Sequence, residues 1–359
     1  MTAGLPARFA SQLLSGTPAR SAESVVGRLL AVQAQDPRGA RLAVRCRSAG
    51  LTASDVDHAL TAKHSLLITW LNRGTLHLVR AEDYWWLHPL TTPQLATAND
   101  RRLRQEGVSA TQAERGVEVV TDAVLSDGPQ TREQLWRRLD AAGVPTAGQG
   151  LVHVLLAASL RGHVVRGPVI DNDHLYASVP QWLGPPPAAL DPDEALGMLA
   201  RRYLAGHGPA SARDLAKWAG VTIGNARRGF DAIAEETVSR ADDLVTLDGG
   251  LGVSALPPPR LLGPFDPLLH GWASREPVVG RHGSVVTSNG IFRPVALVGG
   301  RVVATWGLPG GVVTITPLEP IAARPLGALR DDATDVMRFL GLPAAPAAVT
   351  RAPVTSRPG

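Results

Sequence analysis

Hydrophobic and polar positions in the first quarter of this chain follow a helical spacing. Apolar residues recur every three or four positions, with polar residues between them. The pattern predicts three successive helices, at Ala22–Gln35, Arg38–Ala49 and Thr52–Ala62.

The spacing then changes to a strand-like period of two. The stretch LLITWLNRGTLHLV predicts a β-hairpin with its turn at Asn72–Gly74. Because alternate residues of a strand point to the same side, we expect Arg73, Thr75 and His77 to share one face. The leucines between them would take the other face.

Two later segments resemble each other and form an internal repeat. DGPQTREQLWRRL begins at Asp127, and HGPASARDLAKWA begins at His207. In each copy a hydroxyl residue, Thr131 or Ser211, stands three positions before an amide or an acid, which is typical of a helix start.

Each repeat copy is followed by a turn, a second helix and a β-rich stretch. The second helices are expected near Gly150–Arg161 and Asn225–Glu235, and the hairpin turns at Asn172–Asp173 and Ala241–Asp243. Helix, turn, helix and hairpin is the winged-helix pattern. The N-terminal helices and hairpin would form a third, more divergent copy.

The C-terminal region predicts β-structure. Strand-like runs after Pro257 are separated by turn signals such as Asn289-Gly290 and Gly299-Gly300, a pattern compatible with a small β-barrel, and a final helix is expected near Arg330–Leu340. The predicted fold class is α+β, with three tandem winged-helix units and a C-terminal β-barrel. The predicted domains are residues 1–120, 121–190, 191–256 and 257–345, followed by a disordered tail at 346–359.

Composition narrows the classes of function. The formal net charge is +4 with a pI near 9.8, which mildly favours a polyanionic partner. Lys63 and Lys217 are the chain's lysines, so few amines could form a Schiff base. The single cysteine, Cys46, excludes an internal disulfide. We find no zinc-ligand spacing, no phosphate-binding glycine loop, no serine-hydrolase motif and no run of apolar residues long enough to cross a membrane.

Arginine clusters are candidates for contacts with DNA phosphates. By composition alone, a solvated helix face is the favoured explanation of such clusters. Three tandem copies of a nucleic-acid-binding motif favour phosphate contacts instead. The candidates are Arg38, Arg41, Arg45 and Arg47, then Arg101, Arg102 and Arg104, and finally Arg227 and Arg228.

Two glutamines, Gln33 and Gln35, stand where the first predicted helix ends against Asp36-Pro37. On an ideal helix their side chains project about 200° apart. They can converge on one ligand if the helix end unwinds, which Pro37 favours by biasing Asp36 away from helical conformation. Taken alone, such a pair is more often a set of exposed amides at a helix end.

Five stretches together resemble the winged-helix DNA glycosylases of the AlkZ and YcaQ type: LLAVQAQDP, TWLNRGTLHLV, GPASARDLAKWAGV, LLGPFDPLLHGW and FRPVALVGGRVVATW. The resemblance implies three winged-helix units around a concave basic face, plus a β-barrel. It also implies that Gln33 and Gln35 form the catalytic Gln-x-Gln motif. Members of this family excise alkylated purines, including bulky adducts, and some unhook interstrand crosslinks made by genotoxic natural products.

The chemistry that the resemblance implies does not need a strong base. An N-alkylated purine is cationic, so its glycosidic bond is weakened and the base leaves without being protonated. Two neutral amides can then orient the water that attacks the sugar. We therefore expect a monofunctional DNA glycosylase with Gln33 and Gln35 as catalytic residues and with Arg73, Thr75 and His77 lining the substrate cleft. The expected partner is double-stranded DNA carrying alkylation damage.

No cofactor, metal or membrane is expected, and the protein would act as a cytoplasmic, nucleoid-associated monomer. The alternative is a non-catalytic winged-helix regulator, which would bind a palindromic operator as a dimer with half-sites about one helical turn apart. Three different units in one chain argue against that two-fold symmetry. A protein-binding scaffold is a third reading, but no exposed apolar motif supports it.

Overall fold

In a computed structural model of the protein, residues 4–170, 173–240, 243–249 and 255–350 are described, and they form a mixed α+β fold. The helices are, in chain order, α1 Leu5–Ser11, α2 Ala22–Leu29, α3 Pro37–Arg45, α4 Ala53–Thr61, α5 Ala81–Thr91, α6 Pro93–Gln105, α7 Ala110–Ser126, α8 Arg132–Ala141, α9 Gly150–Leu160, α10 Val179–Leu183, α11 Pro192–His207, α12 Ala212–Ala219, α13 Ile223–Asp231, α14 Glu276–Val279 and α15 Ala323–Phe339. The strands are β1 Val32–Gln33, β2 Leu66–Leu71, β3 Thr75–Arg80, β4 Val164–Ile170, β5 Asp173–Ser178, β6 Thr237–Ser239, β7 Val245–Leu247, β8 Arg260–Leu262, β9 Val295–Val298, β10 Arg301–Gly307, β11 Thr314–Pro317 and β12 Ala348–Val349.

The chain divides into two compact units, and neither of them is continuous in sequence. Unit 1 contains Met1–Val56, Ala200–Trp218 and Ile233–Gly359, whereas unit 2 contains Asp57–Leu199 and Ala219–Ala232. Three of the four boundaries fall within α4, α11 and α12, and the fourth follows the end of α13. Unit 1 therefore combines both ends of the chain, and the predicted domain limits near residues 120, 190 and 256 stay a prediction.

The predicted first hairpin is confirmed in unit 2. Strands β2 and β3 pair antiparallel, and the turn between them has positive φ at Asn72 (55°) and Gly74 (79°). Arg73 lies in this turn and not in a strand, so the argument that placed it on one face with Thr75 and His77 does not apply to it.

The β4–β5 hairpin belongs to the same sheet as the first hairpin. Within unit 2 the strand order is β3-β2-β4-β5, and Ile68 of β2 lies opposite Arg166 of β4. The sequence analysis assigned the two hairpins to separate winged-helix units. Their pairing is a long-range contact without a local sequence signal. Asn172, at the predicted turn of the second hairpin, lies outside the described residues.

The helix starts predicted within the repeat are confirmed. The Thr131 hydroxyl accepts a hydrogen bond from the backbone N–H of Gln134 (3.1 Å), and the Gln134 side chain accepts one from the N–H of Thr131 (2.7 Å). Ser211 and Asp214 make the same reciprocal pair at 3.2 and 3.0 Å. Each pair satisfies backbone N–H groups that a helix start leaves without intrahelical partners.

The element order that follows each repeat copy matches the predicted pattern. The first copy continues with α8, α9 and the β4–β5 hairpin, and the second with α12, α13 and the β6–β7 hairpin. In the second hairpin turn Asp243 has a φ of 56°, whereas residues 241–242 lie outside the described part of the chain. This order is compatible with winged-helix units, whose assignment stays a prediction.

The predicted C-terminal β-barrel is wrong. In unit 1 the strands pair in the order β12-β11-β10-β9-β8, and across the described ranges no pairing joins β8 to β12. Closing a barrel requires the two outer strands to pair, but here they are short and lie at opposite edges of an open sheet. Strand β12 pairs parallel to β11 and comes from Ala348–Val349, within the segment predicted to be disordered.

Helix α15 covers the edge of this sheet and is longer than predicted. It begins at Ala323, ahead of the predicted start at Arg330. The Asp332 carboxylate accepts a hydrogen bond from the backbone N–H of Leu261 in β8 at 2.7 Å. This contact binds the helix to an edge strand and satisfies a backbone donor that the edge would otherwise leave open.

Two arginines that the sequence placed in a DNA-binding cluster are buried structural residues. Arg47 forms a fully buried ion pair with Asp266 (2.7 Å) and also donates to Gln12 Oε1 (2.8 Å). Arg45 binds Asp332 (2.9 Å) and the Leu261 carbonyl (2.6 Å). The expectation that these two contact phosphates is wrong, because both side chains are buried and paired with carboxylates. Those carboxylates lie far away in sequence, so they leave no local signal. Both arginines attach α3 to the C-terminal part of unit 1.

We expect Asp266→Asn to lower the free energy of unfolding by about 3–5 kcal/mol, because the isosteric amide leaves the buried Arg47 charge without a counterion. Urea unfolding measures the loss. The control is Asp335→Asn, since Asp335 pairs with Arg45 but is 42% exposed, and it should cost at most about 1 kcal/mol. Equal, small losses in both variants would show that the buried pair contributes no special stability.

Candidate active site

Helix α2 ends earlier than the sequence predicted, ahead of the two glutamines. It stops at Leu29, and Leu30 has φ 64° and ψ −46°. The backbone N–H of Ala31 donates to the Leu29 carbonyl at 2.8 Å. This is a γ-turn of the rare type with positive φ. The prediction of a helix up to Gln35 is therefore wrong, and Val32–Gln33 form the short strand β1.

The two glutamine side chains meet directly. Residues two positions apart in an extended segment point to the same side of the backbone. Gln33 Nε2 donates a hydrogen bond to Gln35 Oε1 at 2.6 Å, with Gln33 only 4% exposed and Gln35 open to solvent. Neither amide makes another hydrogen bond within the part of the chain that is described. Gln33 Oε1 therefore stays available as an acceptor, and Gln35 Nε2 stays available as a donor.

Helix α3 anchors the chain immediately after the glutamine pair. Asp36 has an extended backbone, as Pro37 favours, and its carboxylate accepts a hydrogen bond from the Gly39 N–H at 2.7 Å. Gly39 packs so closely on Pro264 that a Cβ there would lie 2.4 Å from the Pro264 carbonyl oxygen. The pair is thus held between a buried turn and a packed helix start.

Cys46 lies at the end of α3 but is unsuited to nucleophilic chemistry. It is fully buried, and burial raises the pKa of its thiol to about 11. A nucleophilic cysteine needs the thiolate form, which this environment disfavours near neutral pH. Cys46 is therefore a small packing residue of the core.

The predicted cleft residues lie in unit 2. Arg73 is exposed in the hairpin turn, whereas His77 is 2% exposed and its Nδ1 lies 2.9 Å from the Thr75 carbonyl oxygen. His77 pairs in register with Thr69, and the Thr69 hydroxyl lies 3.1 Å from that of Ser159 in α9. This face of the hairpin is therefore packed on a helix, and the role of these residues in a substrate cleft stays a prediction.

The other arginine candidates differ in exposure. Arg38 is exposed, but Arg41 is largely buried and donates to the Pro37 carbonyl in its own helix at 2.9 Å. In α6, Arg101 and Arg104 are exposed, and Arg102 pairs with Glu106 at 3.2 Å. In α13, Arg227 is exposed and Arg228 forms an ion pair with Asp193.

A junction that the sequence analysis missed brings three elements of unit 2 together. Gln94 in the first turn of α6 donates to the Gly220 carbonyl at 3.0 Å. Gly220, in the turn between α12 and α13, packs on the β2–β3 turn, where a Cβ on it would lie 2.7 Å from the Asn72 carbonyl oxygen. The sequence predicts only a turn at Gly220. Its contacts with Gln94 and Asn72 could not be inferred from that pattern.

Within the described residues, we find no group of three or more His, Cys, Asp or Glu side chains that could hold a metal ion. None of the helices there combines the length and the apolar character needed to cross a membrane.

Comparisons with known proteins agree on one family. A family model described as DNA glycosylase AlkZ-like matches residues 26–339. The chain is similar to an interstrand DNA cross-link repair glycosylase from Streptomyces sahachiroi, with 28% identity over 335 residues, 88% of this chain and 90% of that protein. Its fold is similar to the solved structure of the Streptomyces sahachiroi DNA glycosylase AlkZ, with a TM-score of 0.78, 27% identity and coverage of 96% of this chain and 98% of that one.

We expect Asp36→Ala to lower the free energy of unfolding by about 1 kcal/mol, because it removes the side-chain acceptor at the start of α3. Asp36→Ser should retain most of the stability, since a serine hydroxyl can accept the same hydrogen bond. Urea unfolding of the two variants measures the difference. Equal stability of the alanine and serine variants would contradict a capping role for Asp36.

Proposed function

Because the chain belongs to the AlkZ-like DNA glycosylase family, we propose that it hydrolyses the N-glycosidic bond of cationic alkylated purines in duplex DNA, using a water held by Gln33 and Gln35. The enzyme class follows from the family, whose members hydrolyse N-glycosyl bonds. The observation that carries the catalytic assignment is the direct contact between the two amides, at 2.6 Å. That contact leaves Gln33 Oε1 available as an acceptor and Gln35 Nε2 available as a donor.

The reaction needs only a positioned water. As the bond between C1′ and the purine nitrogen breaks, its electron pair goes to the purine and cancels the positive charge of the base. Gln33 Oε1 accepts a hydrogen bond from the water, and Gln35 Nε2 donates one to the water oxygen. The water oxygen bonds to C1′ of the oxocarbenium-like sugar, and its proton passes to solvent. Since both amides are neutral, they do not repel a cationic substrate.

The name of the Streptomyces relative suggests a larger substrate as well. That protein is a cross-link repair glycosylase. An interstrand crosslink formed by alkylation joins two purines, and release of one alkylated purine from its sugar frees one strand from the other. We include bulky purine adducts and such crosslinks in the proposed substrate range.

The catalytic proposal is tested with Gln33→Ala/Gln35→Ala on two duplexes, one with a single 7-methylguanine and one with a bulky guanine adduct. Hot alkali converts abasic sites to strand breaks. The double variant should lose about 10²-fold or more in single-turnover excision rate. Its affinity for duplex DNA should stay within about twofold, because the pair orients water and does not bind phosphates.

A matched control is Gln149→Ala, which removes an exposed glutamine of unit 2 and should leave excision unchanged. Wild-type excision by the double variant would remove the pair from catalysis. Lesion-independent protection of one defined palindromic sequence, without excision on either duplex, would favour the regulator alternative.

The duplex backbone is proposed to contact unit 2 around the Gln94–Gly220 junction. The β2–β3 turn, the first turn of α6 and the turn between α12 and α13 are adjacent there. Arg101 lies two turns along α6 from Gln94, and Arg227 lies one turn into α13. Both are exposed and suited to phosphate contacts. Arg104, Arg38, the partly engaged Arg102 and Arg228, and the largely buried Arg41 are weaker candidates for such contacts.

We expect Arg101→Gln and Arg227→Gln each to reduce the slope of log affinity against log salt concentration by about 0.9, the value for one lost phosphate contact. Fluorescence anisotropy with an undamaged duplex at several salt concentrations measures this slope. Arg330→Gln, an exposed arginine of α15 in unit 1, serves as the control and should leave the slope unchanged. If all three variants keep the wild-type slope, the duplex binds another surface.

A further inference from the structure

Helix α11 holds the last turn of α2 inside unit 1. Arg202 Nη2 donates a hydrogen bond to the Gly27 carbonyl at 3.0 Å, and Arg28 Nη1 lies 3.4 Å from the Ala205 carbonyl oxygen. At Gly206 the two backbones are so close that a Cβ would lie 2.2 Å from the Arg28 carbonyl oxygen. No larger residue fits at position 206 unless the end of α2 moves.

The turn at Leu30 opposes the local preference of the sequence. The stretch LLAVQAQ is rich in leucine, alanine and glutamine, which favour helix. A positive φ is unfavourable for a residue with a side chain, yet Leu30 has a φ of 64° and is fully buried. Such a conformation persists only where surrounding contacts enforce it. The hydrogen bonds that join α11 to Gly27 and Arg28 lie within three residues of Leu30.

Arg202 takes the hydrogen-bond acceptor that a longer α2 would need. In an α-helix the N–H of residue 31 would bind the carbonyl of residue 27. Here the Gly27 carbonyl accepts from Arg202, and the Ala31 N–H turns to the Leu29 carbonyl at 2.8 Å. The guanidinium thus substitutes for the very backbone donor that would carry the helix past Leu30.

We propose that Arg202 is a positioning residue for the Gln33–Gln35 pair, with Gly206 as its steric support. By occupying the Gly27 carbonyl, Arg202 keeps the chain extended after Leu30, so that the two amides lie on one side and in contact. This inference rests on the proposed catalytic role of the pair. In a helical continuation the two amides would project about 200° apart and could not hold one water.

The predicted signature is a loss of rate without a loss of DNA binding. Arg202→Met keeps the length of the side chain but removes its donors. We expect its single-turnover excision rate on the 7-methylguanine duplex to fall about tenfold or more, with affinity for the duplex within about twofold. Gly206→Ala should reduce the rate at least as much, because its Cβ displaces the same turn.

Two further variants separate positioning from general stability. Arg202→Lys can still donate to a carbonyl and should recover at least about half of the wild-type rate. Arg201→Met removes the neighbouring arginine of α11, which forms an exposed ion pair with Glu236, and should leave the rate unchanged. Circular dichroism and the thermal midpoint establish the folded fraction of each variant.

The positioning role is overturned if Arg202→Met and Gly206→Ala excise at the wild-type rate, or if Arg201→Met loses rate and thermal stability to the same degree. If Arg202→Met does not fold, Gly206→Ala and Arg202→Lys decide by the same criteria. An inactive Gln33→Ala/Gln35→Ala variant beside active Arg202 and Gly206 variants would remove only this inference. An active double glutamine variant would instead remove the catalytic assignment on which it rests.

Discussion

The attachment of α3 to the C-terminal part of unit 1 is the constraint on which the site depends. Arg47 and Asp266 form a fully buried ion pair, and Arg45 binds both Asp332 and the Leu261 carbonyl. Such pairs are costly to bury and strongly destabilising to break, so they fix one arrangement of the helix. Gln35 directly precedes Asp36, the residue that caps the start of α3. A fixed helix start therefore fixes the backbone position of Gln35.

These ion pairs also suit the charge of the proposed substrate. Arg45 is the last residue of α3 and Arg47 lies two residues beyond it, and unpaired cations there would repel a positively charged purine. Asp332 and Asp266 neutralise them inside the protein. What the Gln33–Gln35 segment itself offers is a neutral acceptor and a neutral donor. Exposed arginines such as Arg101 and Arg227 lie in unit 2, where phosphates are the proposed ligands, whereas unit 1 has the exposed Arg38 in α3.

Features with a local chemical signal could be predicted from the sequence. The hairpin turn at Asn72–Gly74 and the capped helix starts at Thr131 and Ser211 depend on residues within four positions of each other, and all were found. The shared sheet of the two hairpins, the open C-terminal sheet and the burial of Arg47 depend on residues far apart in sequence. Periodicity carries no information about such partners.

The end of α2 was predicted wrongly, although the Gln-x-Gln motif itself indicates that the helix must end before Gln33. Helix propensity extended the helix to Gln35, although two side chains separated by one residue can meet only when the backbone is extended. A Gln-x-Gln motif that acts on one water is therefore incompatible with the helix that its own sequence favours. Local preference and the proposed function conflict at Leu30, and functional sites are where a strained residue is expected. The donor that resolves the conflict, Arg202, comes from a distant helix and not from the motif.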